Sequence, residues 1–453
     1  MPSATSRPDL LRMSTPRALM LVAGPMVATG LLKTTYFLTD SFYVGRLGSE
    51  ALSALGGSAF GWWIVAQLTA LAGTGVRSKV AQYSGAGDDS QLPTTTVQGL
   101  WVGAVIWMFL LAFAWPFRHL YFDILGFNSA GAAYQYGCEF LGASLIGAGA
   151  LVVFGVVNAA FQGIGDTKTG MKIAAISALL NVALDPLFIW GWGPFPAFGI
   201  AGAAWSTALC NAIGAAIGLW VLSKRGVALR FAAPKWLQLR ELVRIGGPVS
   251  LGGIGFSGIY VVLGRIITPF GEHQMAALGI GHRLESLSYM VCVGFTIAAT
   301  TLVGHHVGAK DKLGASRAAH TAVGLCIAAV VPLSLALYVF AESFFQCFTT
   351  DAVVISAGVS YLRVQAVVQI WMAMEAVYEG AFTGTGDTMP TFWVVTLGTG
   401  ARIPLALALV HWLEFGVVGV WYAIALTTVI KGMVLWAWFR KGRWMDEPDR
   451  VPI

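Results

Sequence analysis

The sequence predicts an all-α polytopic membrane protein. Twelve transmembrane helices form two six-helix lobes related by pseudo-two-fold symmetry around a central cavity. Three observations predict it: scarce charge, twelve apolar runs, and a repeat between the halves. The 453 residues hold only 28 Lys+Arg and 22 Asp+Glu, or 11% charged, while 57% are hydrophobic. Soluble domains carry about a quarter charged residues, so a polar surface cannot be covered here. Mean hydropathy of +0.71 excludes disorder as well. The 55 glycines suit close helix packing in lipid. Twelve helices of roughly 25 residues use about 300 residues, which leaves no room for a soluble catalytic or nucleotide-hydrolysing domain.

Span 1 is expected near 17–44, where an apolar run from Ala18 continues too far for a cleaved signal peptide. Spans 2 and 3 follow near 51–76 and 95–117, separated by Arg77 and Lys79. Spans 4 and 5 fall near 132–160 and 168–192, with Lys168 and Lys172 at their junction. Span 6 runs near 200–223. The basic stretch 224–240 links it to span 7, near 242–268. Spans 8 and 9, near 274–304 and 318–340, flank Lys310, Lys312 and Arg317. Spans 10, 11 and 12 are expected near 354–381, 389–412 and 416–440. A lipid-exposed backbone must satisfy its own hydrogen bonds, so all are read as helices. Basic residues gather in alternate loops and in both tails, 1–16 and 441–453, with Arg46 and Arg118 as exceptions. Both termini are therefore expected in the cytoplasm. Trp190, Trp192, Trp412, Trp436, Trp438 and Trp444 lie near span ends, as interfacial anchors do. The five cysteines show no metal or CxxC spacing and read as small buried hydrophobes.

The halves, 17–223 and 241–440, repeat in order. Gly24-Pro25 matches Gly247-Pro248, Gly48 matches Gly271, and Ala54-Leu55-Gly56 matches Ala277-Leu278-Gly279, each at an offset of 223. Gly163-x-Gly165-Asp166-Thr167 matches Gly384-x-Gly386-Asp387-Thr388 at 221, and Phe198-Gly199-x-x-Gly202 matches Phe415-Gly416-x-x-Gly419 at 217. Six spans per copy give a parallel repeat, as in several secondary transporters.

The ordered set Pro25, Thr39-Asp40-Ser41-Phe42-Tyr43-Val44-Gly45-Arg46-Leu47-Gly48, Ala51-Leu52-Ser53-Ala54-Leu55-Gly56, the first Gly-x-Gly-Asp-Thr, Asn181-Val182-Ala183-Leu184-Asp185-Pro186 and Arg402-Ile403-Pro404-Leu405 resembles the multidrug and toxic compound extrusion (MATE) family, in its DinF-like branch. The resemblance covers about 17–440. It implies cation-coupled export of organic, often cationic or amphipathic compounds, with a protonation or cation site on Asp40, Asn158, Asn181 and Asp185. It also implies that span 1 bends at Pro25. Two departures stand out: Lys33 where a neutral polar residue is expected, and Phe140 where a tyrosine is expected.

Ionisable groups inside spans are functional candidates by default. Asn181 and Asp185 share one face of span 5, and Asp40 lies at similar depth in span 1. Pro186 cannot donate the hydrogen bond that would close its turn. Crowded carboxyl groups share a proton, which suits proton exchange; Na⁺ is the other coupling ion expected. Lys33, about 10 Å along the helix from Asp40, is expected as its counter-ion. Tyr36, Gln67, Trp205, Glu375 and Glu379 are expected on the substrate cavity. Arg402 is expected to be structural. His305-His306 diverge on a helix and do not suggest a metal site. The Gly-x-Gly-Asp-Thr loops lack GxxxxGK[ST] and read as tight turns with a capping Asp. Residues 242–271 contain no Asp or Glu, unlike the NorM-like branch.

The expected protein is thus a non-enzymatic, proton-coupled exporter with no cofactor. It acts as a monomer in a bacterial inner membrane, on small organic molecules, and binds no nucleic acid. A lipid-linked precursor flippase of the same superfamily is the alternative. A membrane-embedded enzyme would need HxxxD or Asp-rich clusters, and a sugar-transporter-like fold a basic GxxxDRxGRR loop. Neither is present.

Overall fold

The computed structural model describes residues 9–191, 196–225, 227, 232–442 and 444, and of residues 35–38 the backbone alone. Its described residues form twelve helices long and apolar enough to cross a membrane, and the protein is a multi-pass membrane protein. They are Thr15–Gly45, Ser49–Ala86, Gln91–Ala114, Ala132–Gly163, Thr167–Trp190, Ile200–Lys224, Trp236–Phe270, Glu272–Gly308, Lys312–Val339, Ala352–Thr385, Met389–His411 and Val417–Arg440. All twelve expected spans are found, with shifted ends. Span 2 runs about three turns further than hydropathy suggests, so Arg77 and Lys79 sit on helix and not in a loop. Charged residues lower a hydropathy window but do not stop a helix. Span 7 likewise begins at Trp236, inside the expected linker. Short helices Arg118–Ile124 and Ala341–Gln346, and a π-helical turn at Leu110–Ala114, escape the hydropathy reading.

Local chemistry ends the helices where the repeat motifs fall. Gly165 (φ 80°) and Gly386 (φ 82°) turn the chain in the left-handed region, where a Cβ is disfavoured. Asp166 then caps span 5 by accepting the Thr169 N–H. The second copy differs: Thr388, not Asp387, is the cap position of span 11, and its side chain makes no capping bond. Asp311 and Asp351 cap spans 9 and 10 from the loops. The backbone amides they accept from hold both carboxyl groups below the usual carboxylate range.

The chain forms two compact units, but not the two halves 17–223 and 241–440. Unit 1 spans Ala28–Ser250, and unit 2 combines Asp9–Val27 with the chain from Leu251 onward. Spans 1 and 7 each change unit midway, two residues after Pro25 and Pro248. The physical reason is packing. Leu10, Ala18, Leu19, Val22 and Ala23 are buried with Cys292, Phe295, Val377 and Phe439 in one core of unit 2. Part of the expected N-terminal tail therefore lies in a core. In unit 1, Leu242 joins the core of Val76, Val80, Val156 and Phe161. Glycines allow this approach: a Cβ on Gly246 would lie 2.1 Å from the Leu71 carbonyl oxygen.

Span 7 is also fastened to unit 1 by polar bonds. Gln98 donates to the Ala233 carbonyl (2.9 Å) and accepts from the Lys235 amide (2.9 Å). Trp101 donates to the Ala232 carbonyl at 3.0 Å. Lys79 pairs with Glu241 at 2.7 Å, and the lysine side chain is 4% exposed. Arg225, at the end of span 6, pairs with Asp166 and donates to Thr169. Four cysteines are buried and Cys347 is exposed. Trp412 is 83% exposed, as an anchor would be; the Trp192 reading lies outside the described residues.

Candidate functional site

Unit 1 brings together the acids expected from spans 1 and 5. Asp185 is fully buried, one turn after buried Asn181. The Asn181 amide nitrogen donates to Asp185 Oδ1 (3.1 Å), Ser206 Oγ (3.1 Å) and Thr207 Oγ1 (3.4 Å). Asp40, Ser206 and Asn181 are the side-chain hydrogen-bond partners of the Asp185 carboxyl group. Span 6 can supply those hydroxyls because Gly202 lets it close on span 5: a Cβ there would lie 2.4 Å from the Phe188 carbonyl oxygen. Pro186 lies inside span 5, directly after Asp185. Half-buried Asp40 lines a cavity of ≈ 70 Å³ with Leu55, Trp62, Phe140, Thr207 and Asn211. Two carboxyl groups in contact, an amide and two hydroxyls can hold one proton or a small cation.

The remaining predicted residues separate from this group. Asn158 packs against Gly170, eleven residues before Asn181 on span 5 and so roughly 16 Å along the helix. It is not part of the cluster. Lys33 is exposed, seven residues and so two turns before Asp40 on span 1. Gln67 and Trp205 are half-buried and are not among the residues that line this unit 1 cavity. The Tyr36 side chain lies outside the described ones.

Glu375 is paired and largely buried. Lys431 Nζ donates to it at 2.6 Å and to Thr399 Oγ1 at 3.2 Å; the two side chains are 3% and 15% exposed. Half-buried Glu379 lies one turn on, within electrostatic range of both. Lys431 was missed by the sequence reading, although a lone lysine in an apolar span is itself a signal. Arg402 is 3% exposed and donates to Thr427 (3.1 Å), Tyr260 (3.0 Å) and Thr428 (3.1 Å). Tyr361 donates to Glu285 at 2.8 Å.

The MatE family model matches residues 25–187 and 248–408, two segments that start 223 positions apart at Pro25 and Pro248. A relative from Thermotoga maritima named "Probable multidrug resistance protein NorM" is 27% identical over 94% of this chain and 93% of its own length. A MOP superfamily transporter from Pyrococcus furiosus is similar in structure, with a TM-score of 0.90 at 24% identity over 98% of this chain and 100% of that one. The outward-facing structure of a multidrug resistance MATE family transporter of the same superfamily has a TM-score of 0.88 at 25% identity, over 97% and 98% of the two chains. With most of both repeats matched, the chain belongs to the MatE family.

Proposed function

We propose that this protein exports organic, often cationic or amphipathic compounds across a bacterial inner membrane by alternating access, in exchange for protons. The observation that carries this reading is the contact between the Asp40 and Asp185 carboxyl groups beside a cavity in unit 1. Together they hold a proton that either alone would release into water, and its loss leaves like charges in contact. That repulsion is a differential energy able to shift a conformational equilibrium. Pro25, near the point where span 1 changes unit, is the place for the shift to bend the helix. Exposed Lys33, about 10 Å along span 1, adds positive charge that disfavours Na⁺ relative to a shared proton.

The absence of Asp and Glu from 242–271 supports the DinF-like side of the family, whatever names the relatives carry. Charge distribution supports cytoplasmic termini. Efflux of ethidium from proteoliposomes under an imposed pH gradient tests the reading, with Asp40→Asn and Asp185→Asn in parallel. Proton-driven efflux is expected, and both variants should lose it. Normal efflux in both variants, or strict dependence on Na⁺ without a pH gradient, would overturn it.

A further inference from the structure

The repeat register places the Arg402 side chain at Asn181 and its guanidinium at the unit 1 cavity. Arg402 lies 221 positions after Asn181, and at the offset of 217 that relates spans 6 and 12 its hydroxyl partners Thr427 and Thr428 correspond to Cys210 and Asn211, one turn beyond Ser206 and Thr207. The guanidinium thus reaches one turn further along the following span than the Asn181 amide does, to the register of Asn211, which lines the unit 1 cavity. Thr427 and Thr428 donate their protons to the Ala423 and Ile424 carbonyls, which turns their lone pairs toward the cation.

The acids have moved around this shared register. The counterparts of Asp40 and Asp185 at the repeat offsets are Leu263 and Ala406, both fully buried. Conversely, Trp62 and Phe140, which line the unit 1 cavity, correspond to Glu285 and Tyr361. These two are hydrogen-bonded to each other, and both lie within electrostatic range of Arg402. Unit 1 has an open space, two carboxyl groups and no built-in cation at this register. Unit 2 has a carboxyl group and a cation that cannot leave.

We propose that unit 2 carries a permanently occupied counterpart of the ion site: the Arg402 guanidinium stands where unit 1 takes up its exchangeable cation, so one ion site per chain turns over in each cycle. This rests on the reading of Asp40 and Asp185 given above. Arginine is suited to the role because it does not release its proton in proteins. The charged and titratable groups around it are Tyr260 of span 7, His282 and Glu285 of span 8, Tyr361 of span 10, and Lys431 of span 12, itself held by Glu375.

Ethidium-triggered proton release from the purified full chain, and the steepness of ethidium efflux against proton concentration, test this. Wild type should release about one proton per chain and show a dependence of order one, because the carboxyl pair acts as a unit. The Asp40→Asn/Asp185→Asn double variant should release none. Residual release there would reveal a second exchangeable site and overturn the proposal, and this arm does not require altering Arg402. Arg402→Lys should keep the wild-type order. Arg402→Asn, which copies unit 1, should leave Glu285 dependent on a solution cation and raise the order toward about two. An Arg402→Asn protein that exports with the wild-type order, or an Arg402→Lys protein that behaves like Arg402→Asn, would also overturn it. Full proton release by the double variant with normal efflux would instead remove the assignment of Asp40 and Asp185.

Discussion

The two units use the same span register for opposite electrical purposes. In unit 1 a neutral amide, Asn181, holds two hydroxyls and a carboxyl group next to open space. In unit 2 a guanidinium holds two hydroxyls one turn further along the following span, and the equivalent carboxyl positions are apolar. A second exchange accompanies the first. Glu375 and Lys431 form a buried pair, while their counterparts, at offsets of 221 and 217, are Phe154 and Gly214, which pack against each other in unit 1. The lesson is that a repeat can conserve helix contacts while its charges are redistributed. Burial in lipid tolerates charge only where each group finds a partner, so charges change place in sets.

The comparison breaks most severely at Asp185. Asp185→Asn is expected to lower proton-driven ethidium efflux at least ~10-fold in proteoliposomes, since it removes an intramembrane ionisable group whose loss no nearby carboxyl other than Asp40 can offset. Next in size is the ion pair of unit 2. Lys431→Met leaves Glu375 buried without its cation and should cost about 3–5 kcal/mol, read from thermal unfolding in detergent. Replacing both partners with the unit 1 residues, Glu375→Phe with Lys431→Gly, should recover most of that. A double variant no more stable than the single one would show that the apolar pair of unit 1 is not interchangeable with the charged pair of unit 2.

A smaller difference is expected at the glycines between the last spans of each repeat half. A Cβ on Gly202 would sit 2.4 Å from the Phe188 carbonyl oxygen, whereas one on Gly419 would sit 3.0 Å from Leu409 Cβ. Gly202→Ala should therefore cost about 1–3 kcal/mol and Gly419→Ala less, because the atoms facing Gly419, backbone of Leu409 and Val410 included, stand at 3.0–3.2 Å and need give by only tenths of an ångström. Equal losses would sink the distinction.

The smallest effect lies in the loops. Asp311 accepts the Gly314 amide at 2.8 Å and caps span 9, while its repeat counterpart Asp88 accepts the Ser90 hydroxyl at 2.5 Å and leaves span 3 without a side-chain cap. The Asp311 carboxyl group is held below its ordinary value, so its contribution is present above the unfolded-state value and is lost as pH falls through the folded one. Below about pH 4, amide exchange at the start of span 9 should accelerate in wild type. Asp311→Ala should show the faster exchange at every pH.

Much of this was legible in the sequence. Hydropathy found the twelve spans, and the offsets of 223, 221 and 217 aligned the repeats. Asp40, Asn181 and Asp185 were legible because helical spacing and depth are one-dimensional quantities. Asn158 was misplaced for the same reason: depth in a span says nothing about which neighbour a side chain meets. Lys431 carried a signal, a charge within 417–440, but its partner Glu375 lies 56 residues away and only packing shows the pairing. The division of spans 1 and 7 between units was illegible, because a continuous apolar helix looks the same whether it packs on one unit or two.

That division has a consequence for assembly. The segment Asp9–Val27 is synthesised before the rest of unit 2, yet its core partners extend to Phe439. That segment must therefore wait in the bilayer, its apolar face covered by lipid, until those partners have been made. Neither half of the gene product can finish folding alone. Two fragments divided in the 6–7 loop would each lack a helix end that the other carries.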